Sequence, residues 1–191
     1  YYLFNVDGQN DRIRLEGLVN EGLVNEWWHP LLGWMGEGLK LKKGTYEHLD
    51  TQHIGGRRPV LLYGDSFAAC SSQARHECFQ QILNNDKEFS KNYYLLNFGS
   101  GGYGVDQISL LFMNSIHLYR DPFVVLSLMI KDLDRSLLWV RDGVLKPYFE
   151  VVGNQLVLRR EHLNQDRRTF FTENPPDVVS YLYRLWLYQD G

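Results

Sequence analysis

From Pro59 onward the chain alternates short apolar runs with longer segments of helical spacing. Val60-Leu61-Leu62-Tyr63 predicts a short buried strand, and Ala68–Leu83 a helix closed by Asn84-Asn85-Asp86. Tyr93–Phe98 predicts a second strand and Val105–Leu118 a second helix. Phe123–Ile130 is the strongest apolar run of the chain and predicts a third strand, with a short helix over Asp132–Val140 behind it. These runs are continuous rather than alternating and are spaced by helices. That pattern predicts parallel strands covered on both faces.

The rhythm then changes. Residues 146–160, KPYFEVVGNQLVLRR, alternate apolar and polar positions around Gly153-Asn154, the pattern of a β-hairpin. Glu161–Thr172 is polar and reads as a loop, and Pro175-Pro176 opens a last helix over Asp177–Tyr188. Residues 1–57 are the least regular part, with nine glycines, the local duplication EGLVNEGLVNE and a helix or short strands near Asp11–Glu26. The expected organisation is a loop-rich N-terminal extension (1–57) before an α/β core (58–191) with a parallel sheet and a β-hairpin insertion.

Composition narrows the partners. The 191 residues suit one domain. The net charge is −3 and no Lys/Arg run exceeds two residues, which speaks against a nucleic-acid surface. No apolar stretch is long enough to span a bilayer, and no secretory signal is visible. The cysteines, Cys70 and Cys78, would lie about 12 Å apart along one helix at about 1.5 Å per residue, too far for a disulfide, and read as free thiols. No His pair stands near them at ligand spacing, so no metal is expected.

Two turns carry the candidate chemistry. Gly64-Asp65-Ser66-Phe67 follows the first strand and opens a helix. A serine there projects its hydroxyl from the carboxyl edge of the sheet, next to the unpaired N–H groups of a helix terminus. Asp65 or Ser66 can equally serve only to cap the helix. The second turn, LLNFGSGGYGVDQ (95–107), contains Gly99, Gly101 and Gly104 in G-x-G-x-x-G spacing. A dinucleotide-binding loop normally occupies the first strand–helix turn, with an acidic residue about 20 positions on at the end of the next strand. Here the motif follows the second strand, Asp121 precedes the third, and Asp132 comes too late. The glycines are therefore assigned to close backbone approach and oxyanion donation, and nucleotide binding is the weaker alternative.

With both turns at one sheet edge, VLLYGDSFAAC resembles the first block of the SGNH (GDSL-type) hydrolases, and LLNFGSGGYGVDQ their second. The likeness is to bacterial members related to carbohydrate O-acetyl esterases and acetyltransferases. HPLLGWMGEG (29–38) is similar to a Gly-Trp segment preceding the core in that branch, and the 146–160 hairpin to one that some members insert. The resemblance covers about residues 29–191. It implies a three-layer, flavodoxin-like fold, Ser66 as nucleophile, and the Ser66 and Gly102 N–H groups as oxyanion donors. It implies ester hydrolysis or acyl transfer on small acyl esters, O-acetylated carbohydrate foremost, with no cofactor. The compartment stays open, leaning to the cell envelope.

The third block of that family presents Asn after the third strand. This chain has Lys131-Asp132, so Lys131 is a substitute oxyanion donor or a solvent-facing charge, and Asp132 a supporting residue or a helix cap. Asp65 is the other supporting residue. The family's base comes from a D-x-x-H block near the carboxyl end, and the chain is read as holding no such block. His162 alone follows the core strands among the six histidines, early for the role. The catalytic His and Asp are expected beyond Gly191. A catalytically inactive carbohydrate-binding module is the alternative, with Trp27, Trp28 and Trp34 holding a glycan or, instead, plugging the extension onto the core.

Overall fold

The computed structural model describes residues 28–36, 39–42, 45–70, 78–141 and 144–174. Trp27, the elements expected near Asp11–Glu26 and the helix expected over Asp177–Tyr188 lie outside them.

Strand β1 (Trp28–His29) pairs antiparallel with β2 (Gly33–Trp34), and β3 (Leu39–Lys42) with β4 (Thr45–His48). A 3-10 turn, Leu49–His53, leads to β5 (Arg58–Gly64). Helices α1 (Phe79–Asn85) and α2 (Phe89–Asn92) precede β6 (Tyr93–Asn97). Helix α3 (Val105–Ser115) precedes β7 (Phe123–Ser127), and α4 (Ile130–Arg135) follows it. The two-residue strands β8 (Val140–Arg141) and β9 (Val144–Leu145) pair with each other. Strands β10 (Tyr148–Val152) and β11 (Gln155–Arg159) come next, and α5 (Arg167–Glu173) ends the described chain.

The protein is a mixed α/β structure around a three-stranded parallel sheet in the order β6-β5-β7. All three strands point the same way, so the turns that follow them share one edge. Along β5, Leu61 and Tyr63 face one side with Leu96 and Phe98, against Ile108 and Leu111 of α3. Leu62 faces the other side with Leu95, packed against Ala68 and Phe89. This period-2 division puts a core on both faces of the central strand. Leu31, Leu32, Leu39 and Tyr46 join the α3-side core, so the segment before β5 is built into it. The buried Tyr63 hydroxyl is satisfied at 2.7 Å by Ser115 Oγ, which itself donates to Leu111 O.

The 146–160 segment is the expected hairpin, with Val152 opposite Gln155 and Gly153 at φ +63° in the turn. Three expectations are corrected. Residues 66–70 form turns rather than the start of a helix, residues 71–77 lie outside the described residues, and a helix covers Phe79–Asn85. The polar segment 161–172 is not a loop: it holds a 3-10 turn, Glu161–Asn164, and most of α5, whose cap Asp166 accepts from Thr169 N at 2.9 Å. The apolar β7 is not covered on both faces. Among the described residues it is an edge strand, and Phe123, Val124, Val125 and Leu126 are all exposed.

Candidate functional site

Strand β5 ends at Gly64, and Asp65 turns the chain. The Asp65 side chain is fully buried. Its Oδ1 accepts from Phe67 N at 2.9 Å and its carbonyl from Ala69 N at 2.9 Å. The carboxylate thus satisfies one N–H of a turn and the carbonyl another, and because residues 66–70 are turns the expected helix cap is a turn cap instead. Ser66 sits between these contacts, half-buried, and its hydroxyl takes no partner among the described residues.

Cys70 and Cys78 form a disulfide with Cα atoms 5.6 Å apart, which overturns the expectation of free thiols. The expectation failed because it laid both residues on one helix. Cys70 instead ends a turn with φ +55°, which folds the chain back.

The second turn lies directly against the first. Phe98 N donates to Leu62 O at 2.7 Å and Ser100 N to Gly64 O at 3.0 Å, carrying the β5–β6 ladder past the end of β6. A Cβ on Gly99 would stand 2.7 Å from the Ala68 carbonyl carbon and overlap the Ala69 nitrogen. Only glycine lets the two turns touch here. Gly102 has φ +78°, a left-handed conformation, and its N–H has no acceptor among the described residues. Asn97 fastens the pair: Nδ2 donates to Ala68 O at 2.6 Å, and Oδ1 accepts from Gly99 N at 2.9 Å.

The turn after β7 contributes differently from its expectation. Lys131 lies in the first turn of α4, exposed, with no partner among the described residues. Asp132 is fully buried and accepts from Met129 N at 2.8 Å, capping α4. Burial raises its carboxyl pKa, and the Met129 N–H bond opposes that rise. Arg135 Nη1 donates to Asp132 Oδ1 at 2.7 Å and to Asp65 Oδ2 at 3.2 Å.

No histidine is bonded to Ser66 among the described residues. His162 Nε2 bonds to Lys146 O at 2.8 Å, and its ring packs among Trp139, Tyr148 and Phe170. Residues 50–53, Asp-Thr-Gln-His, spell D-x-x-H, upstream of the Ser66 turn, which corrects the expectation that the chain holds no such block; the spacing itself is the signal in the sequence. His53 Nδ1 lies 3.5 Å from Asp50 Oδ1. The pair is nonetheless anchored away from Ser66. The His53 carbonyl accepts from the guanidinium of Arg57, which precedes β5, whereas Ser66 follows the strand's other end. Seven strand residues span about 20 Å.

Trp34 packs as a plug. Its Nε1 donates to Gly101 O at 3.0 Å, and its ring meets Tyr103 edge-on at 5.6 Å. Trp28 is exposed. Among the described residues no group of three His, Cys, Asp or Glu side chains is placed to hold a metal, and no helix is long and apolar enough to cross a membrane. No family model, curated protein or solved structure matches the chain.

Proposed function

We propose that this chain carries the flavodoxin-like SGNH hydrolase fold and acts as a serine ester hydrolase or acyl transferase. Its substrates are small acyl esters, O-acetylated carbohydrate first among them by family analogy. The observation that carries the reading is the contact between two turns at the carboxyl edge of the parallel sheet. Among the described residues, one holds a hydroxyl without a partner (Ser66) and the other an N–H without an acceptor (Gly102). In this reading Ser66 Oγ attacks the ester carbonyl and gives its proton to a histidine outside the described residues. The Ser66 and Gly102 N–H groups receive the oxyanion. Collapse expels the sugar oxygen, which takes the proton back, and water or a second hydroxyl then accepts the acyl group. Among the described residues Lys131 has no partner that would hold it toward the oxyanion, so in this reading the donor set rests on backbone groups.

The disulfide beside Ser66 supports an oxidising compartment, in keeping with a cell-envelope enzyme. The alternative, an inactive glycan-binding module, is favoured by the absence of a histidine bonded to Ser66 among the described residues. A fluorophosphonate probe distinguishes them. The protein with its natural termini is labelled and the adduct located by peptide mass spectrometry, with Ser66→Ala as control. An adduct on Ser66 is expected. A folded protein with no adduct removes the enzyme reading.

A further inference from the structure

Arg135 stands where the turns after all three parallel strands meet. Its Nη1 donates to Asp65 Oδ2 at 3.2 Å in the turn after β5, and to Asp132 Oδ1 at 2.7 Å in the turn after β7. The same atom lies 3.4 Å from Tyr103 O in the turn after β6. Both carboxylates are completely buried, and Arg135 is the one cation on either of them among the described residues. The Arg135 backbone is itself held: its carbonyl accepts from Lys146 Nζ at 3.2 Å, and Ser136 Oγ accepts from Asp106 N at 3.2 Å.

We infer that Arg135 is a positioning residue for Ser66, acting through Asp65. This rests on the nucleophile reading above and names the group that fixes its geometry. Asp65 divides its carboxylate between the N–H of Phe67, one residue beyond Ser66, and the guanidinium. The cation therefore sets the carboxylate, and the carboxylate sets the turn on which Ser66 rides. Without it two buried carboxylates face each other uncompensated. Asp65 then turns toward water, Phe67 N–H loses its acceptor, and the turn that carries the Ser66 hydroxyl is no longer fixed. All three contacts converge on a single nitrogen, so a lysine ammonium, a compact charge with three donors, can replace them. A neutral side chain of similar length cannot.

The test compares Arg135→Met, Arg135→Lys and Asp65→Asn in the protein with its natural termini. Labelling by the fluorophosphonate probe is followed at saturating concentration, and amide hydrogen exchange at Phe67 and Ala69. Arg135→Met is expected to lower the maximal labelling rate at least tenfold with little change in the half-saturating concentration. Arg135→Lys should stay within about threefold of the parent, and Asp65→Asn should fall with Arg135→Met. Exchange at Phe67 should quicken in Arg135→Met while the amides of α3 keep their protection. Parent-like labelling and parent-like exchange in Arg135→Met overturn the inference. If that variant does not fold, Asp65→Asn decides, and a parent-like rate there overturns it. If the parent itself takes no label, the nucleophile reading fails. Exchange alone then judges Arg135: quickened exchange at Phe67 upholds its hold on the turn, and unchanged exchange refutes it.

Discussion

His48 Nε2 donates to the carbonyl oxygen of Asn97 at 3.0 Å, and the tautomer is fixed because His48 Nδ1 accepts from Asp50 N at 3.0 Å. The extension is thus clipped to the end of the strand whose asparagine holds the Ser66 turn. Both ring nitrogens are used by the neutral form, and burial lowers the pKa of His48. His29 differs: its Nδ1 accepts from Leu31 N and Leu32 N, its buried Nε2 has no partner among the described residues, and burial lowers its pKa to about 4.

These two histidines predict acid sensitivity. A histidine whose folded pKa is depressed lets the unfolded chain bind the proton first. Its stabilisation is therefore complete above about pH 6.5 and is lost as pH falls toward the folded value. For His29 the window runs from 6.5 to about 4 and is worth on the order of 3 kcal/mol. Thermal melts should fall steadily across that window. His29→Asn, which keeps an acceptor for the two amides, should flatten part of the slope. A parent melting temperature independent of pH over this range contradicts the assignment.

Lys146 should be the most costly lysine to remove. It is fully buried, and its Nζ contacts Asp106 Oδ2 together with the carbonyls of Arg135, Leu138 and Pro147. Lys146→Met leaves Asp106 as a buried unpaired charge, at a cost of about 3–5 kcal/mol. Lys146→Met/Asp106→Leu should recover much of that loss in urea titrations. Equal stability of the single and double variants would show that the pair is not coupled.

The disulfide closes a short loop directly after the Ser66 turn. Loop-closure entropy assigns it about 2–3 kcal/mol. Dithiothreitol should lower the denaturation midpoint by that equivalent in the parent and leave Cys70→Ser/Cys78→Ser unchanged. A reductant effect in both proteins would place its action elsewhere.

Gly99→Ala should be worse than its size suggests. The added Cβ meets the backbone at Ala68 and Ala69, which cannot rotate away. A destabilisation of about 1–3 kcal/mol is expected from overpacking, with a loss of Ser66 labelling larger than stability alone explains. Retained labelling would mean that the two turns need not touch.

Strand β7 predicts self-association. Leu126 is 52% exposed on an apolar edge that carries no charge from Phe123 to Ser127. Leu126→Lys should reduce the sedimentation average at high protein concentration with a small change in melting temperature. An unchanged average would show that the edge is not the contact.

Much of this was legible in the chain. Strand β6 stands where a continuous apolar run places it, and the β10–β11 turn falls on Gly153-Asn154, because periodicity and turn chemistry are local properties. Strand β7 starts at Phe123 as expected but ends at Ser127, and α4 spans Ile130–Arg135 rather than Asp132–Val140. The capping role of Asp132 was local too. What escaped depends on contacts distant in sequence. The Cys70–Cys78 bond needed the bend at Cys70, not helical spacing. The burial of Lys146 needed Asp106, forty residues away. The exposure of β7 could not be read from its composition, since an apolar run is the same whether one neighbour pairs with it or two. The convergence of Asp65, Tyr103 and Asp132 on Arg135 joins three loops that no motif connects.

Trp34 gives the second turn a voice of its own. Its indole N–H is bonded to Gly101 O, one residue before the Gly102 amide. An acyl oxygen or inhibitor drawing on that amide repolarises the peptide from which the indole takes its hydrogen bond. The emission of one buried-edge indole then reports occupancy of the turn directly, without a labelled ligand, and Trp34→Phe supplies the blank.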